Sequence, residues 1–206
     1  MKLTSETKFF IGVIIVTVAI LGSAIYFFSR PPKTVSSDVL IPQEVWATGS
    51  ATPKITLVEF SDFECPACGA AYPVVKKVTE TYKDDLRFVF RHFPLAQHKN
   101  ARFAAQAAEA AGAQGKFWEM HDLLFKNQTN LSQDVINGLA IELKLDMDLF
   151  TKELTEEKYK DKIEKDIADG NSLGINSTPS FFLNGKKLQL FSFADLETEI
   201  KKALGK

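Results

Sequence analysis

Only two cysteines occur among the 206 residues, and they stand together as Cys65-Pro66-Ala67-Cys68. Two thiols separated by two residues can lie close enough for one sulfur to attack a disulfide and the other to resolve the mixed disulfide that results. At the start of a helix, Cys65 would meet unpaired backbone N–H groups and the positive end of the helix dipole, which favour the thiolate and lower its pKa. Cys65 is therefore the expected nucleophile, and Cys68, one turn further in, the more buried resolving thiol. Pro66 suits the first helical turn, where a missing N–H costs nothing. Two other chemistries fit the same pair: an inert disulfide staple, or half of a metal site shared between two chains. The count excludes a multi-disulfide scaffold and a four-cysteine zinc site within one chain. The three histidines, His92, His98 and His121, have no finger-like spacing to the pair, so no metal site is expected.

The neighbouring sequence supplies the elements that would hold the pair. Ile55-Thr56-Leu57-Val58-Glu59-Phe60 is a short, β-branched, mostly apolar run, as in a strand covered on both faces. After the cysteines, Ala71, Val74, Val75, Val78 and Tyr82 recur at helical spacing. Pro73 falls inside that pattern and predicts a kink, unless the helix only starts there. A second strand follows from Leu86 to Phe93 and is stopped by Pro94. The result is a βαβ unit with CxxC at its βα junction. Residues 100–171 then read as helical throughout, Ser180-Phe181-Phe182-Leu183 resumes strand, and Asn184-Gly185 before Lys186 to Leu190 is a two-residue hairpin signal. Ser192 and Asp195 in capping-box spacing open a last helix that buries Phe193, Leu196, Ile200 and Leu204. This order predicts an α/β fold, a mixed sheet with helices on its faces interrupted by an all-helical insertion over about residues 98–155.

With 25 basic against 26 acidic side chains, the chain lacks the basic surface of a general nucleic-acid binder. Residues 1–33 carry four basic groups against one acidic, so the globular remainder is mildly acidic. Residues 9–28 are 20 consecutive uncharged positions, enough as a helix to span roughly 30 Å of hydrocarbon. A transmembrane anchor is the favoured reading over a cleavable signal peptide, because cutting at Gly22-Ser23-Ala24 would leave an apolar N-terminus. Lys2 and Lys8 are matched by Arg30 and Lys33, so the charge rule does not orient the span. A pair that must form disulfides belongs outside the cytosol, which puts residues 1–8 in the cytoplasm and the catalytic domain outside. Residues 29–53, with Pro31, Pro32, Pro42 and Pro53, read as an extended linker to a domain over 54–206. Within the linker, Val39-Leu40-Ile41 and Val45-Trp46 are apolar enough to pack on the domain as an extra strand or short helix.

Four runs in order carry a family resemblance: Val58-Glu59-Phe60-Ser61-Asp62-Phe63-Glu64-Cys65-Pro66-Ala67-Cys68, Phe88-Val89-Phe90-Arg91-His92-Phe93-Pro94-Leu95, Gly115-Lys116-Phe117-Trp118-Glu119-Met120-His121, and Gly174-Ile175-Asn176-Ser177-Thr178-Pro179-Ser180-Phe181-Phe182-Leu183-Asn184-Gly185. Together they resemble the DsbA-like branch of the thioredoxin superfamily. The resemblance covers nearly all of residues 50–206. It implies a thioredoxin-like fold with the helical block inserted, and a bacterial, extracytoplasmic dithiol oxidase needing no cofactor beyond its Cys65/Cys68 disulfide. It also implies recycling by a quinone-linked membrane partner of the DsbB or VKOR type. On this resemblance Cys65 matches the attacking cysteine, Cys68 the resolving one, and Thr178-Pro179 the threonine and cis-proline that face the pair and receive an extended substrate segment as an added strand. Pro66 and Ala67 are expected to face that substrate too. Glu59 takes the place of the superfamily's buried acid, where desolvation would raise its pKa and let it relay the proton of Cys68; an exposed strand-face glutamate is the competing reading. Ala67 departs from the best-known members, which carry His, and supplies neither a cation nor a donor to Cys65. A less oxidising potential is expected in consequence.

The expected function is a membrane-tethered, monomeric oxidase that donates its disulfide to exported proteins with free thiols. A reductase or isomerase of the same fold is the nearest alternative, and a non-catalytic tethered chaperone or adaptor the alternative of another class. Other polar residues receive plain structural readings. His121 is expected to be packed and bonded to backbone, and His92 and His98 to lie in a loop flanking Pro94, solvated by default, with lining of the substrate approach as the alternative. Arg87 and Arg91 are expected to pair with local acids, and the triplet Asn127-Gln128-Thr129 is given no meaning.

Overall fold

The alternation of the sheet's inner strands decides where everything else packs. In β2 (Ile55–Ser61), Leu57 and Glu59 point to one face and Val58 and Phe60 to the other, and all four are buried. β2 runs parallel to β3 (Leu86–His92) in the register Leu57↔Phe88 and Glu59↔Phe90. The helix between them, α3 (Pro66–Thr81), is the crossover that parallel neighbours require. β4 (Ser180–Leu183) joins the other side of β2 antiparallel, and the two-residue β5 (Lys186–Lys187) follows it through the turn at Asn184 and Gly185. Both turn residues have positive φ, 48° and 79°, as a type I′ hairpin requires. The strand order is β1-β3-β2-β4-β5. β5 is shorter than the run to Leu190 that the sequence predicts.

The computed structural model describes the backbone of residues 5–28 and 35–206, and their side chains except those of residues 5–9, 24, 27 and 28. The chain divides into two units, Met1–Lys33 and Thr34–Lys206. In the first, α1 (Ser5–Phe28) exposes Val13, Ile14, Ile15, Val16, Val18, Ile20 and Leu21. Two of its hydroxyls bond the helix's own backbone: Thr17 Oγ1 and Ser23 Oγ donate to the carbonyls of Val13 and Ala19 at 2.9 and 2.7 Å. The expected span over residues 9–28 falls on α1. The side chains of residues 9, 24, 27 and 28 lie outside the described residues, as do residues 29–34 of the expected linker with Pro31 and Pro32. Among the described residues no helix is long and apolar enough to cross a membrane.

From residue 35 the expected extended linker is part of the folded unit, which corrects the boundary at 54. α2 (Ser37–Leu40) buries Leu40, and β1 (Trp46–Gly49) pairs antiparallel with β3, Trp46 opposite Phe90. Trp46 stacks on Phe117 with ring centroids 4.4 Å apart. Gly112 is what admits it, since a Cβ there would stand 2.3 Å from the indole. The physical reason for the correction is burial: the apolar residues interspersed among the prolines gain more by covering the sheet than the chain loses in freedom.

Five helices form the insertion: α4 (Ala101–Ala113), α5 (Phe117–Lys126), α6 (Gln133–Glu142), α7 (Met147–Thr155) and α8 (Lys160–Ser172). The last of these lies beyond the expected end near 155. The helical face of the sheet carries Leu57, Phe63, Phe88, Phe90 and Phe181 into one core with α3 to α7 and α9 (Asp195–Ala203). The opposite face packs Val58, Phe60, Val89, Phe93 and Phe182 with Leu40 and Ile175, and Ile167 of α8 leans on them. Arg91 on that face is 1% exposed. Its guanidinium donates to Asp166 at 2.7 Å, to Asp169 at 2.6 Å and to the carbonyl of Val39 at 2.7 Å. These acids are distant in sequence, not local as expected, and the arginine ties α8 and the α2 segment to β3.

Candidate active site

β2 ends at Ser61, and the chain turns through Asp62, Phe63 and Glu64 to place Cys65 at the N-cap of α3 with φ −75° and ψ 118°. Pro66 is the first helical residue, and α3 continues through Pro73 to Thr81 in one element. Cys68 is fully buried and Cys65 is 7% exposed, while Pro66 and Ala67 between them are exposed. Both cysteines are free thiols in this structure.

The Thr178-Pro179 peptide bond is cis, and its loop faces the pair: Cys65 Sγ donates to the carbonyl of Thr178 at 3.4 Å. The pair is strongly polarised. The Cys65 pKa is pushed down to about 5, chiefly by the hydrogen bond from the Cys68 thiol. Burial opposes the shift, and the Thr178 side chain and the N–H groups of Cys68 and Ala67 add to it. The Thr178 hydroxyl is buried and makes no hydrogen bond in this structure, and its side chain is among the groups that favour a thiolate at Cys65. The Cys68 pKa is driven far up, first by burial, then by the bond it gives to Cys65 and by the nearby charge of Glu59.

Glu59 is 3% exposed, which rules out the exposed strand-face reading. Burial lifts its pKa to about 7, against a 2.7 Å hydrogen bond from Ser61 Oγ to Oε1 that favours the charged form. Ser61 also favours the ionised Cys68, so Glu59, Ser61 and Cys68 lie together under the helix start and act on one another's ionisation. The sequence reading did not single out Ser61; its place one strand repeat after Glu59 on the same face is the signal that could have found it.

The acids beside the cysteines have structural partners. Asp62 is buried, its Oδ1 accepts from the Glu64 N–H at 2.7 Å, and its Oδ2 accepts from the Leu95 N–H at 2.7 Å and lies 2.7 Å from His98 Nδ1. Glu64 receives the N–H and the side-chain amide of Asn100 at 2.6 and 3.1 Å. Burial works against a charged His98, but the bond to Asp62 and the charges of Asp62, Cys65 and Glu64 outweigh it and raise its pKa. His98 therefore belongs to the site rather than to a solvated loop. His92 is also not in that loop: it ends β3, is buried, and lies 2.9 Å from Glu109. His121 is packed as expected, edge-on to Phe63 and Phe90, but its partner is the Asp122 carboxylate at 3.1 Å instead of backbone. Burial lowers its pKa. Gln128, to which the sequence reading gave no role, donates to the carbonyls of Phe63 and Cys65 at 2.9 and 2.8 Å. No local pattern in the turn after α5 announces that contact.

The sequence profile of the thioredoxin family matches residues 42–202. Among curated relatives, the chain is 40% identical over 154 residues to Na(+)/H(+) antiporter NhaA 1 of Salinispora arenicola, covering 73% of this chain and 24% of that protein. It is 35% identical over 186 residues to Na(+)/H(+) antiporter NhaA 1 of Mycolicibacterium vanbaalenii, covering 85% of this chain and 30% of that protein. The chain thus spans less than a third of the length of these relatives. Among solved structures, a thioredoxin-like oxidoreductase of Silicibacter pomeroyi superposes with a TM-score of 0.74 at 26% identity, over 84% of this chain and 99% of that one. Oxidised BdbD of Bacillus subtilis gives 0.72 at 23% identity over 85% and 98%, and α-DsbA1 of Wolbachia pipientis 0.73 at 24% over 83% and 96%; both show the shared fold. With a polarised CxxC at the start of α3 facing a cis-proline loop, the chain belongs to the thioredoxin family and has the fold of the DsbA-like thiol-disulfide oxidoreductases.

Proposed function

We propose that the protein is an extracytoplasmic dithiol oxidase that donates the Cys65/Cys68 disulfide to exported proteins. The observation that carries this reading is the opposed ionisation of the two sulfurs, with Cys65 held low at about 5 and Cys68 driven up. A stabilised Cys65 thiolate stabilises the reduced pair, and a couple whose reduced form is stabilised gives its disulfide away readily. In the reaction a substrate thiolate attacks Cys65 Sγ, the Cys65/Cys68 bond breaks, and a mixed disulfide forms. Cys68 leaves with the electron pair and takes a proton from the Glu59 carboxyl, with the Ser61 hydroxyl between them. A second substrate thiolate then attacks the substrate sulfur, forms the substrate disulfide and expels Cys65 as its stabilised thiolate. The two electrons now on the pair pass to a quinone-linked membrane partner of the DsbB or VKOR type. Thr178 and Pro179, with the exposed Pro66 and Ala67, present the surface along which an extended substrate segment lies.

The protein acts as a monomer, tethered by residues 9–28 with its N-terminus in the cytoplasm. Support comes from the 20 uncharged positions, from a helix whose described apolar side chains are exposed, and from hydroxyls satisfied on the helix's own carbonyls. The likeness to a stretch of proteins named as ion antiporters fits a domain that works at a membrane. Thiol trapping in cells tests the direction. A pair found oxidised that turns reduced when the quinone pool is blocked establishes the oxidase; a pair found reduced with the pool active refutes it and favours the reductase or isomerase.

A further inference from the structure

Gln128 is delivered to the dithiol from the helical insertion by a tight turn. The Asn127 N–H and side-chain amide both bond the Leu123 carbonyl, at 3.0 and 2.9 Å, and the Asn130 N–H bonds the Asn127 carbonyl at 2.9 Å. The turn lays the Gln128 carboxamide over the first turn of α3, where Nε2 gives one hydrogen to Phe63 O at 2.9 Å and the other to Cys65 O at 2.8 Å. These two carbonyls flank the segment that swings the Cys65 sulfur onto the N–H groups of Ala67 and Cys68. The Cys65 carbonyl also accepts the first helical bond, from the Gly69 N–H at 3.1 Å. The seat is cleared by a glycine: a Cβ on Gly69 would stand 2.0 Å from Gln128 Oε1 and 2.7 Å from its Cδ. A glycine in a helix interior costs stability relative to alanine, and the room it leaves here is filled by that carboxamide.

We propose that Gln128 is a positioning residue of the dithiol, its carboxamide clamping the carbonyls on both sides of Glu64 and Cys65 so that the helical insertion sets the reactivity of the Cys65 sulfur. Two effects act in the same direction. The clamp fixes the N-cap backbone so that the helix N–H groups aim at the sulfur, and its donors draw off the partial negative charge of the nearest carbonyls. The inference rests on Cys65 as the attacking sulfur and is independent of whether the enzyme works as oxidase or reductase.

The test uses the full-length chain in mild detergent with Gln128→Met, which keeps length and loses the donors, and Gly69→Ala, which keeps the glutamine but pushes its carboxamide aside. Three quantities are read: the Cys65 titration from thiolate absorbance, the equilibrium with glutathione, and the unfolding midpoint. Each variant is expected to raise the Cys65 pKa by about one unit, leaving about tenfold less thiolate below it, and to move the glutathione equilibrium against the oxidant by a similar factor. The double variant should match either single one, because both remove the same clamp. Alanine's preference for the helix offsets part of the lost hydrogen bonds, so Gly69→Ala should stay folded, and it decides the matter alone if Gln128→Met fails to fold. An unmoved thiol in Gly69→Ala, or shifts that add in the double variant, overturns the role of Gln128. A wild-type Cys65 titrating at the ordinary thiol value would overturn the reading of the site as well, which separates the two failures.

Discussion

Replacing Glu59 with Gln should stabilise the protein and slow it at the same time, and the first effect can be sized from the structure. The carboxyl titrates at about 7 when folded against 4.5 for a free glutamate, so the folded chain binds this proton more tightly than the unfolded one. A raised carboxylate pKa subtracts stability as pH rises: the loss begins above about 4.5 and is complete above about 7. At about 1.4 kcal/mol for each unit, the full loss is about 3 kcal/mol. The Glu59→Gln chain lacks this loss, because an amide does not titrate and its oxygen still accepts from Ser61. Burial and Ser61 cause the shift and neither needs free thiols, so denaturant unfolding of the disulfide form isolates Glu59 from the titration of Cys65. The wild-type and variant stability curves should lie close together in acid and separate by about 3 kcal/mol above neutrality, the variant being the more stable. Turnover should show the opposite order, with release of the mixed disulfide slowed in Glu59→Gln and its rate flattened across pH. Parallel stability curves through this range would refute the buried, proton-holding carboxyl, and an unchanged rate across pH would refute its part in the chemistry.

Three further outcomes follow from the same geometry. Cys68→Ala, which removes the donor, should raise the Cys65 pKa above about 5, because the Cys68 thiol is the largest cause of its depression, and should accumulate mixed disulfides with substrates on non-reducing gels; an unmoved thiolate titration would contradict the assigned polarity. The potential should be less oxidising than in Cys-Pro-His-Cys relatives, and Ala67→His should raise it in a glutathione titration; equal potentials would show that the His98 and Asp62 pair already supplies what Ala67 lacks. Asp166→Ala leaves the buried guanidinium of Arg91 without its 2.7 Å partner and should cost about 3 kcal/mol or more in unfolding free energy, whereas a loss under about 1 kcal/mol would mean that Asp169 and the Val39 carbonyl suffice.

The residues that do chemistry at one point of the chain were legible without coordinates. The CxxC spacing, the apolar run before it and the helical stripe after it fix a thiol pair at a βα junction, because strand and helix periodicities are local properties. The Asn184-Gly185 hairpin and the cis-proline loop could be placed for the same reason, the first from turn chemistry and the second from resemblance. The sequence also named Glu59, but two readings of it were open, and only the packing of α3 over β2 decided that it is buried, since burial is set by what covers a strand. Tertiary structure alone decided the partners. Asp62 meets His98 and Glu64 meets Asn100 across 36 positions, and Gln128 reaches Cys65 across 63, contacts that no periodicity encodes. The segment from residue 35 reads as a tether by its prolines and became an α2 turn and an edge strand, because the free energy of covering β3 and Phe117 depends on a surface that exists only once the rest has folded. Composition and spacing thus fix which atoms can react, and long-range contact fixes how strongly each one holds its proton.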